Sequence, residues 1–229
     1  MNKGVLYPVG TPIGNLKDIT LRALEILKEV DLIASEDTRH TRKLLSHYDI
    51  HTSLTSFYEH NQLKKTPYLI DCLKKGKNVA LVSKAGMPGI SDPGYYLIKE
   101  AVKEKIKIVP IPGPTALAIA LVASGLPMDN FVFEGFLGRR KSERMKKLKK
   151  LREEERTIII YEAPHRLKKT LEEIREVLGD RRIAVGRELT KKFEEIIRGR
   201  VSEAENIFKE RTPRGEFTLV IEGKAPHLS

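Results

Sequence analysis

Ser83-Lys84-Ala85-Gly86-Met87-Pro88-Gly89-Ile90-Ser91-Asp92-Pro93-Gly94 follows the apolar run Asn78-Val79-Ala80-Leu81-Val82 and precedes Tyr95-Tyr96-Leu97-Ile98-Lys99-Glu100-Ala101-Val102. The apolar run predicts a short buried strand, and the segment beginning at Tyr95 predicts a helix. Five of the twelve intervening residues are Gly or Pro, too many for an ordinary strand-to-helix turn. Glycine allows positive φ and close approach of a ligand to the backbone, while proline stiffens the chain. In an α/β sheet, a pre-shaped loop at the carboxyl end of a strand is where ligands sit. The competing reading is a tight connection that binds nothing.

Outward from that loop, the pattern of strand then helix repeats. Val5-Leu6-Tyr7-Pro8-Val9 predicts the first strand, entered directly from Met1-Asn2-Lys3-Gly4 with no signal peptide, and Gly10-Thr11-Pro12-Ile13-Gly14-Asn15 gives a second Gly/Pro loop. Thr20 is a predicted N-cap for a helix carrying Leu21, Leu24, Leu27 and Val30. Strands are expected at 31–35, 54–57 and 106–111, the last running into Pro112-Gly113-Pro114-Thr115. Proline there suits the first turn of a following helix, whose N–H groups lack intrahelical partners. Beyond it, strands are expected near 130–136, 156–161, 182–187 and 216–222, and helices near 140–153, 165–178 and 201–210. Alternation of this kind predicts mostly parallel sheets covered by helices, in two α/β domains, 1–113 and 114–229.

Composition narrows the functional classes. The 229 residues are 40% hydrophobic, enough for a sizeable core, and no apolar segment is long enough to span a membrane. One cysteine, Cys72, excludes an internal disulfide and reads as core, so a cytoplasmic location is expected. Lys and Arg total 42 against 31 Asp and Glu, a formal charge of +11. A thermophile-type surface explains many charges but not their imbalance, so a polyanionic partner, most simply nucleic acid, is the better reading.

Motifs for common nucleotide sites are missing. There is no Walker lysine motif and no GxGxxG, which argues against a P-loop NTPase and an ordinary Rossmann site. Gly86-Met87-Pro88-Gly89 matches the GXXG of a KH domain, but a strand precedes it where a helix belongs. The histidines lack metal-ligand spacing, so no metal is expected. Glu36-Asp37-Thr38-Arg39-His40-Thr41-Arg42 concentrates acids, cations and hydroxyls at the end of a strand. It suits proton handling and substrate positioning, or, more plainly, a helix start whose dipole favours acids. His60 and His165 are weaker candidates of the same kind. Residues 138–152 carry nine basic side chains, among them Arg139, Arg140, Lys141, Arg144, Lys146 and Lys147, against one acid. As a helix this segment buries Met145, Leu148 and Leu151 and offers cations to RNA phosphates, unless it is only a solvated face.

Taken together, Pro8 to Leu16, Ala34 to Thr41, Ile90 to Gly94, Pro112-Gly113-Pro114, Tyr161 to Leu167, Arg187 to Lys191 and Gly215-Glu216 resemble the ribosomal small-subunit methyltransferase I family. That family belongs to the tetrapyrrole methylase superfamily. The resemblance implies two α/β domains of the tetrapyrrole methylase, non-Rossmann type, with S-adenosylmethionine (SAM) in the cleft between them, and a homodimer. It implies 2′-O-methylation of a cytidine in the decoding region of 16S rRNA, within the small ribosomal subunit. Cofactor contacts carried over from the family pattern fall on Pro8, Gly10, Ser83, Lys84, Ala85, Gly86, Met87, Thr115, Ala116 and Ala163. Glu36 or Asp37 is expected to take or relay the proton of the 2′-hydroxyl, and Arg39 to position a phosphate. Lys84 and Met87 stand where the family usually has an acid and a threonine. The rival readings are a tetrapyrrole or diphthine-type methyltransferase, which needs no basic face, and a non-catalytic RNA-binding relative with its cofactor site disabled by Lys84.

Overall fold

The structure, a computed structural model, describes residues 3–224. Met1 and Asn2, read from sequence as leading into the first strand, lie outside them, as do the last residues of the expected second domain. Two compact units divide between Thr115 and Ala116.

The first unit holds a parallel sheet of five strands, β1 (Val5–Pro8), β2 (Leu32–Ser35), β3 (Leu54–Ser56), β4 (Val79–Val82) and β5 (Lys107–Ile108), in the order β3-β2-β4-β1-β5. Four helices connect them: α1 (Leu21–Glu29), α2 (Thr38–His47), α3 (Gln62–Lys74) and α4 (Tyr95–Lys103). β4 is buried throughout because both its faces are covered. Val79 and Leu81 join Phe57, Leu69, Leu73 and Leu97 in one core, and Ala80 and Val82 join Ala23, Leu27, Ile33 and Leu44 in the other. A continuous apolar run is therefore what a strand sandwiched between helix layers requires. Cys72 is buried in the first of these cores. The Thr20 side chain accepts from the Ala23 N–H and so caps α1.

The strand expected over 106–111 forms a regular ladder only at Lys107–Ile108. Pro110 has no N–H to donate, and pairing resumes beyond it as a single bridge between Val9 and Ile111. Since all five strands are parallel, the segments after β1, β2, β4 and Ile111 emerge at one edge of the sheet.

The second unit has a mixed sheet of β6 (Phe131–Phe136), β7 (Thr157–Glu162), β8 (Arg182–Arg187), β9 (Glu195–Arg200) and β10 (Phe217–Ile221), ordered β6-β7-β10-β8-β9. Its helices are α5 (Ala116–Ser124), α6 (Lys141–Lys150), α7 (Leu167–Leu178) and α8 (Val201–Glu210). Ile158, Ile160, Val185 and Leu219 form its core with Leu148, Leu171, Ile174 and Phe208. Two features depart from the sequence expectation. The sheet is not mostly parallel, because β10 runs antiparallel to both β7 and β8. In addition, Glu195–Arg200 is a strand that the sequence did not reveal. It pairs antiparallel with β8 as an edge strand, and it carries the charges with which edge strands avoid further pairing.

Candidate active site

At the carboxyl edge of the first sheet, three loops are tied to one another through their backbones. Thr11 N–H donates to Gly86 O at 2.9 Å, and Gly86 N–H donates to Thr11 O at 3.0 Å. Gly10 N–H donates to Ile111 O at 3.0 Å. A Cβ on Gly10 would sit 2.7 Å from the Gly113 backbone and from Met87 Sδ, so only glycine lets these segments cross so closely. Gly86 lies at φ +82°, a second position that favours glycine. The Ser83 hydroxyl closes the turn by donating to Ala85 O and Gly86 O, both at 3.2 Å. Gly86 was expected to offer its backbone to a cofactor. Its N–H and C=O both bond to Thr11, and the residue is buried, with its Cα turned toward Ile13 and Pro114.

Glu36 and Asp37 follow β2 at the same edge. Glu36 Oε2 accepts the backbone N–H of Lys84 at 2.8 Å, which fixes the start of the central loop. Asp37 caps α2, its Oδ1 accepting from Arg39 N–H at 3.0 Å and His40 N–H at 2.9 Å. The His40 N–H is the main cause that lowers the Asp37 pKa; burial opposes it, and the Arg39 N–H and the charges of His40 and Lys84 add further lowering. Ser35 and Thr41 share a buried 2.7 Å hydrogen bond that locks β2 to α2. Arg39 and His40 are exposed. A small pocket of about 20 Å³ between Thr11, Pro12, His40, Thr41, Ser83 and Lys84 has room for about one water. Pro8, Gly10 and Ser83 are buried, Ala85 and Met87 half-buried, and Lys84 is exposed. This edge therefore brings together Pro8, Gly10, Glu36, Asp37 and 83–87, with Thr115 ending the unit.

In the second unit, Ala116 opens α5 and Ala163 follows β7. The Leu117 N–H at the start of α5 donates to Tyr161 Oη at 3.1 Å. Ala163 is held by a buried acid that had no assigned role: Glu162 Oε1 accepts from Ala163 N–H at 2.7 Å and from Arg166 Nη2 at 2.7 Å. Glu162 Oε2 accepts from Thr170 Oγ1 at 2.6 Å. A buried carboxylate with three donors is satisfied and stiffens the turn that carries Ala163. His60 and His165 are exposed loop residues.

The basic helix α6 divides its cations between two tasks. Arg139, Arg140, Lys141 and Lys146 are exposed. Lys147 is half-buried, 3.6 Å from the Glu134 carboxylate. Arg144, expected to touch RNA, is corrected by the structure: its side chain is buried with Glu173 in a two-pronged pair, Nε and Nη2 each 2.7 Å from a carboxylate oxygen. Its Nη1 donates to Arg139 O, and the Glu173 bond raises its pKa. Arg144 ties α6 to α7 and faces inward. Among the described residues no cluster of His, Cys, Asp or Glu is arranged to hold a metal, and no helix is long and apolar enough to cross a membrane.

The family model of the tetrapyrrole (corrin/porphyrin) methylases matches residues 5–205. A protein of Halalkalibacterium halodurans named ribosomal RNA small subunit methyltransferase I is 52% identical over 222 residues, 97% of this chain and 77% of its own length. One of the same name from Thermotoga maritima is 51% identical over 96% of this chain and 99% of its own. Among solved structures, the methyltransferase CobJ superposes with a TM-score of 0.73 at 19% identity, covering 98% of this chain and 95% of its own. Diphthine synthase superposes with a TM-score of 0.72 at 16% identity over 98% and 92%. The structural likenesses establish the fold, and the sequence likenesses extend over nearly every residue from which the loops, the capped acids and α6 are built. The chain belongs to the tetrapyrrole (corrin/porphyrin) methylase family, alongside the relatives named ribosomal RNA small subunit methyltransferase I.

Proposed function

We propose that this protein is a SAM-dependent methyltransferase acting on the 2′-hydroxyl of a cytidine in the decoding region of 16S rRNA in the small ribosomal subunit. The observation that carries the reading is identity of about half over 96–97% of the chain to relatives that bear the rRNA methyltransferase name. The net charge of +11 and the exposed cations at the start of α6 support an RNA substrate over a tetrapyrrole or a diphthine precursor.

The residues present fit the cofactor. The crossing of Gly10 on Gly113, which has no room for a side chain, holds in one shape the loops that would carry its contacts. Pro8, Gly10, Ser83, Lys84, Ala85, Gly86, Met87 and Thr115 of the first unit would hold the cofactor; Ala116 and Ala163 are the second unit's own candidate contacts. Lys84 supplies a cation suited to the carboxylate of its amino-acid part, so the departure from the family's usual acid need not disable the site. Bound SAM supplies an electrophilic methyl group on a sulfonium. The protein's task is to hold the substrate oxygen in line with that methyl, which alone accounts for a large share of the rate. Asp37 takes or relays the 2′-hydroxyl proton, Glu36 fixes the loop beside it, and Arg39 holds a neighbouring phosphate.

Calorimetric titration with SAM followed by labelled-methyl transfer to small ribosomal subunits tests the proposal. One-site binding and transfer to 16S rRNA are expected. Failure to bind in a folded protein removes the enzyme reading and leaves the RNA-binding relative, while binding without transfer to rRNA favours a small-molecule methyltransferase.

A further inference from the structure

The strands β6, β7 and β8 point the same way, since β6 is parallel to β7 and β10 is antiparallel to both β7 and β8. Their carboxyl ends therefore share one edge of the second sheet. The register places Phe136 beside Tyr161, and Phe217 between Glu162 and Arg187. Arg139 and Arg140, Ala163, and the loop from Glu188 to Glu194 all emerge at this edge. That loop is the part of it with no role so far.

The loop is strained and firmly stapled. Glu188 and Thr190 are both left-handed, at φ 49° and 66°, which is costly for residues with a side chain. Thr190 Oγ1 is buried without a hydrogen-bond partner among the described residues. Lys191 reaches both Glu188 and Glu216 at 2.9 Å, and Thr190 N–H donates to Glu194 Oε2 at 2.6 Å. Arg187 donates to Arg214 O at 2.8 Å, and Arg211 pairs with Glu195 at 2.8 Å. The staples hold up Phe193, which is 65% exposed, with the Lys192 ammonium 5.8 Å from its ring centroid. The aromatic rings of β6 are placed differently. Phe136 packs edge-on against Tyr161 at 5.6 Å, and Phe131 begins the strand at its far end.

We propose that Phe193 is a stacking platform for an unpaired base of the RNA substrate. The inference rests on the rRNA reading above and deepens it. A rigid aromatic face flanked by a cation is the chemistry that binds splayed bases, and RNA is recognised mostly where bases are unstacked. Three strand spacings separate the ends of β6 and β8, about 14 Å at ~4.8 Å each, so exposed Arg139 and Arg140 can hold the backbone of the same strand whose base stacks on Phe193. A second copy of the chain could also cover an exposed ring. Exposed Arg139, Arg140 and Lys192 at this edge favour a polyanion, and the stapled loop lowers the entropy lost on stacking.

The chain contains no tryptophan, so Phe193→Trp creates a single fluorescent reporter at the proposed contact. Titration of Phe193→Trp with single-stranded oligocytidylate should quench its emission at the same midpoint that anisotropy gives for the unaltered protein. Phe193→Ala should weaken that binding by about 5- to 150-fold, the equivalent of ~1–3 kcal/mol, and Phe193→Leu should not restore it. Both variants should keep the thermal transition and the affinity for SAM. Absence of quenching with RNA affinity intact, or a Phe193→Leu variant that binds normally, overturns the stacking role. Loss of self-association in Phe193→Ala, with RNA affinity unchanged, also overturns it, in favour of a subunit contact. Labelled-methyl transfer by the unaltered protein separates the two levels. If transfer to small subunits fails, the rRNA reading falls and the proposal with it. If transfer succeeds while Phe193→Ala binds normally, the proposal alone falls.

Discussion

Replacing Asp37 by Asn separates what this side chain does for the fold from what it does for the reaction. The carboxylate caps α2 through two backbone N–H groups on one oxygen, and an asparagine carbonyl accepts the same two bonds. Asn and Asp are near-equal N-caps, so the helix should lose no more than a few tenths of a kcal/mol, whereas Asp37→Ala should lose about 1 kcal/mol. An amide cannot take a proton. If Asp37 accepts the one from the 2′-hydroxyl, turnover should fall by roughly 10²–10⁴. The lowered pKa places its protonation below the ordinary carboxylate range. The rate of the unaltered protein should therefore stay flat from neutrality down to that range and fall only below it, with that fall absent in Asp37→Asn. Stability follows the same sign. A group with a depressed folded-state pKa contributes above its unfolded pKa, and that contribution is lost as pH falls through the folded value. The assay is single-turnover methyl transfer to small subunits over a pH series, beside calorimetric SAM affinity and thermal melts. Asp37→Asn turning over within about threefold of the unaltered protein, with SAM affinity equal, would falsify the proton role and leave the cap as the residue's whole function.

Three further changes probe other links. Gly10→Ala introduces a Cβ 2.7 Å from the Gly113 backbone and Met87 Sδ, so it should push the crossed loops apart and lower SAM affinity by more than about tenfold by calorimetry. Unchanged affinity would show that the crossing does not shape the cofactor site. Arg144→Ala leaves Glu173 buried without its partner and should cost about 3–5 kcal/mol, a fall in melting temperature of roughly 6–20 °C. The double replacement Arg144→Met with Glu173→Leu should recover most of that loss; no recovery would count against the buried-pair account. Neutralising Arg139, Arg140 and Lys146 together should weaken binding to any RNA and flatten its salt dependence by up to about three units of log–log slope. A salt slope equal to that of the unaltered protein would return α6 to the status of a solvated face.

The first unit was legible because its candidate site is framed by backbone. Gly10, Gly86 and the prolines around 110–114 announce close crossings and stiff loops wherever they stand, and the all-apolar β4 announces a strand covered on both faces. The second unit hides its logic in side chains that are distant in sequence. Nothing in the charge run 138–152 marks Arg144 off from its neighbours until Glu173, 29 residues on, is seen buried against it. Periodicity alone had already put Leu148 and Leu151 inward, but Arg144, one turn before Leu148, was read as outward because cations usually are. β9 was missed for a related reason. Only Ile196 and Ile197 are apolar in Glu195-Ile196-Ile197-Arg198-Gly199-Arg200, since an edge strand needs no second apolar face.

Glu162 carries the same lesson into function. Sequence marked the motif around it, but not that its two oxygens bind Ala163, Arg166 and Thr170 at once. A carboxylate buried with that many donors is structural however near it lies to a site, whereas Asp37, capped through a single oxygen at the rim of an open edge, retains an oxygen to offer. Burial and donor count, which depend on contacts between distant residues, therefore decide which acids are available for chemistry. On that criterion Glu162→Gln should act through loss of order around Ala163, reducing stability and SAM affinity together, while Asp37→Asn should reduce turnover alone. Calorimetry and single-turnover rates on the two variants compare them directly, and an Asp37→Asn variant that loses SAM affinity as steeply as Glu162→Gln would refute the distinction.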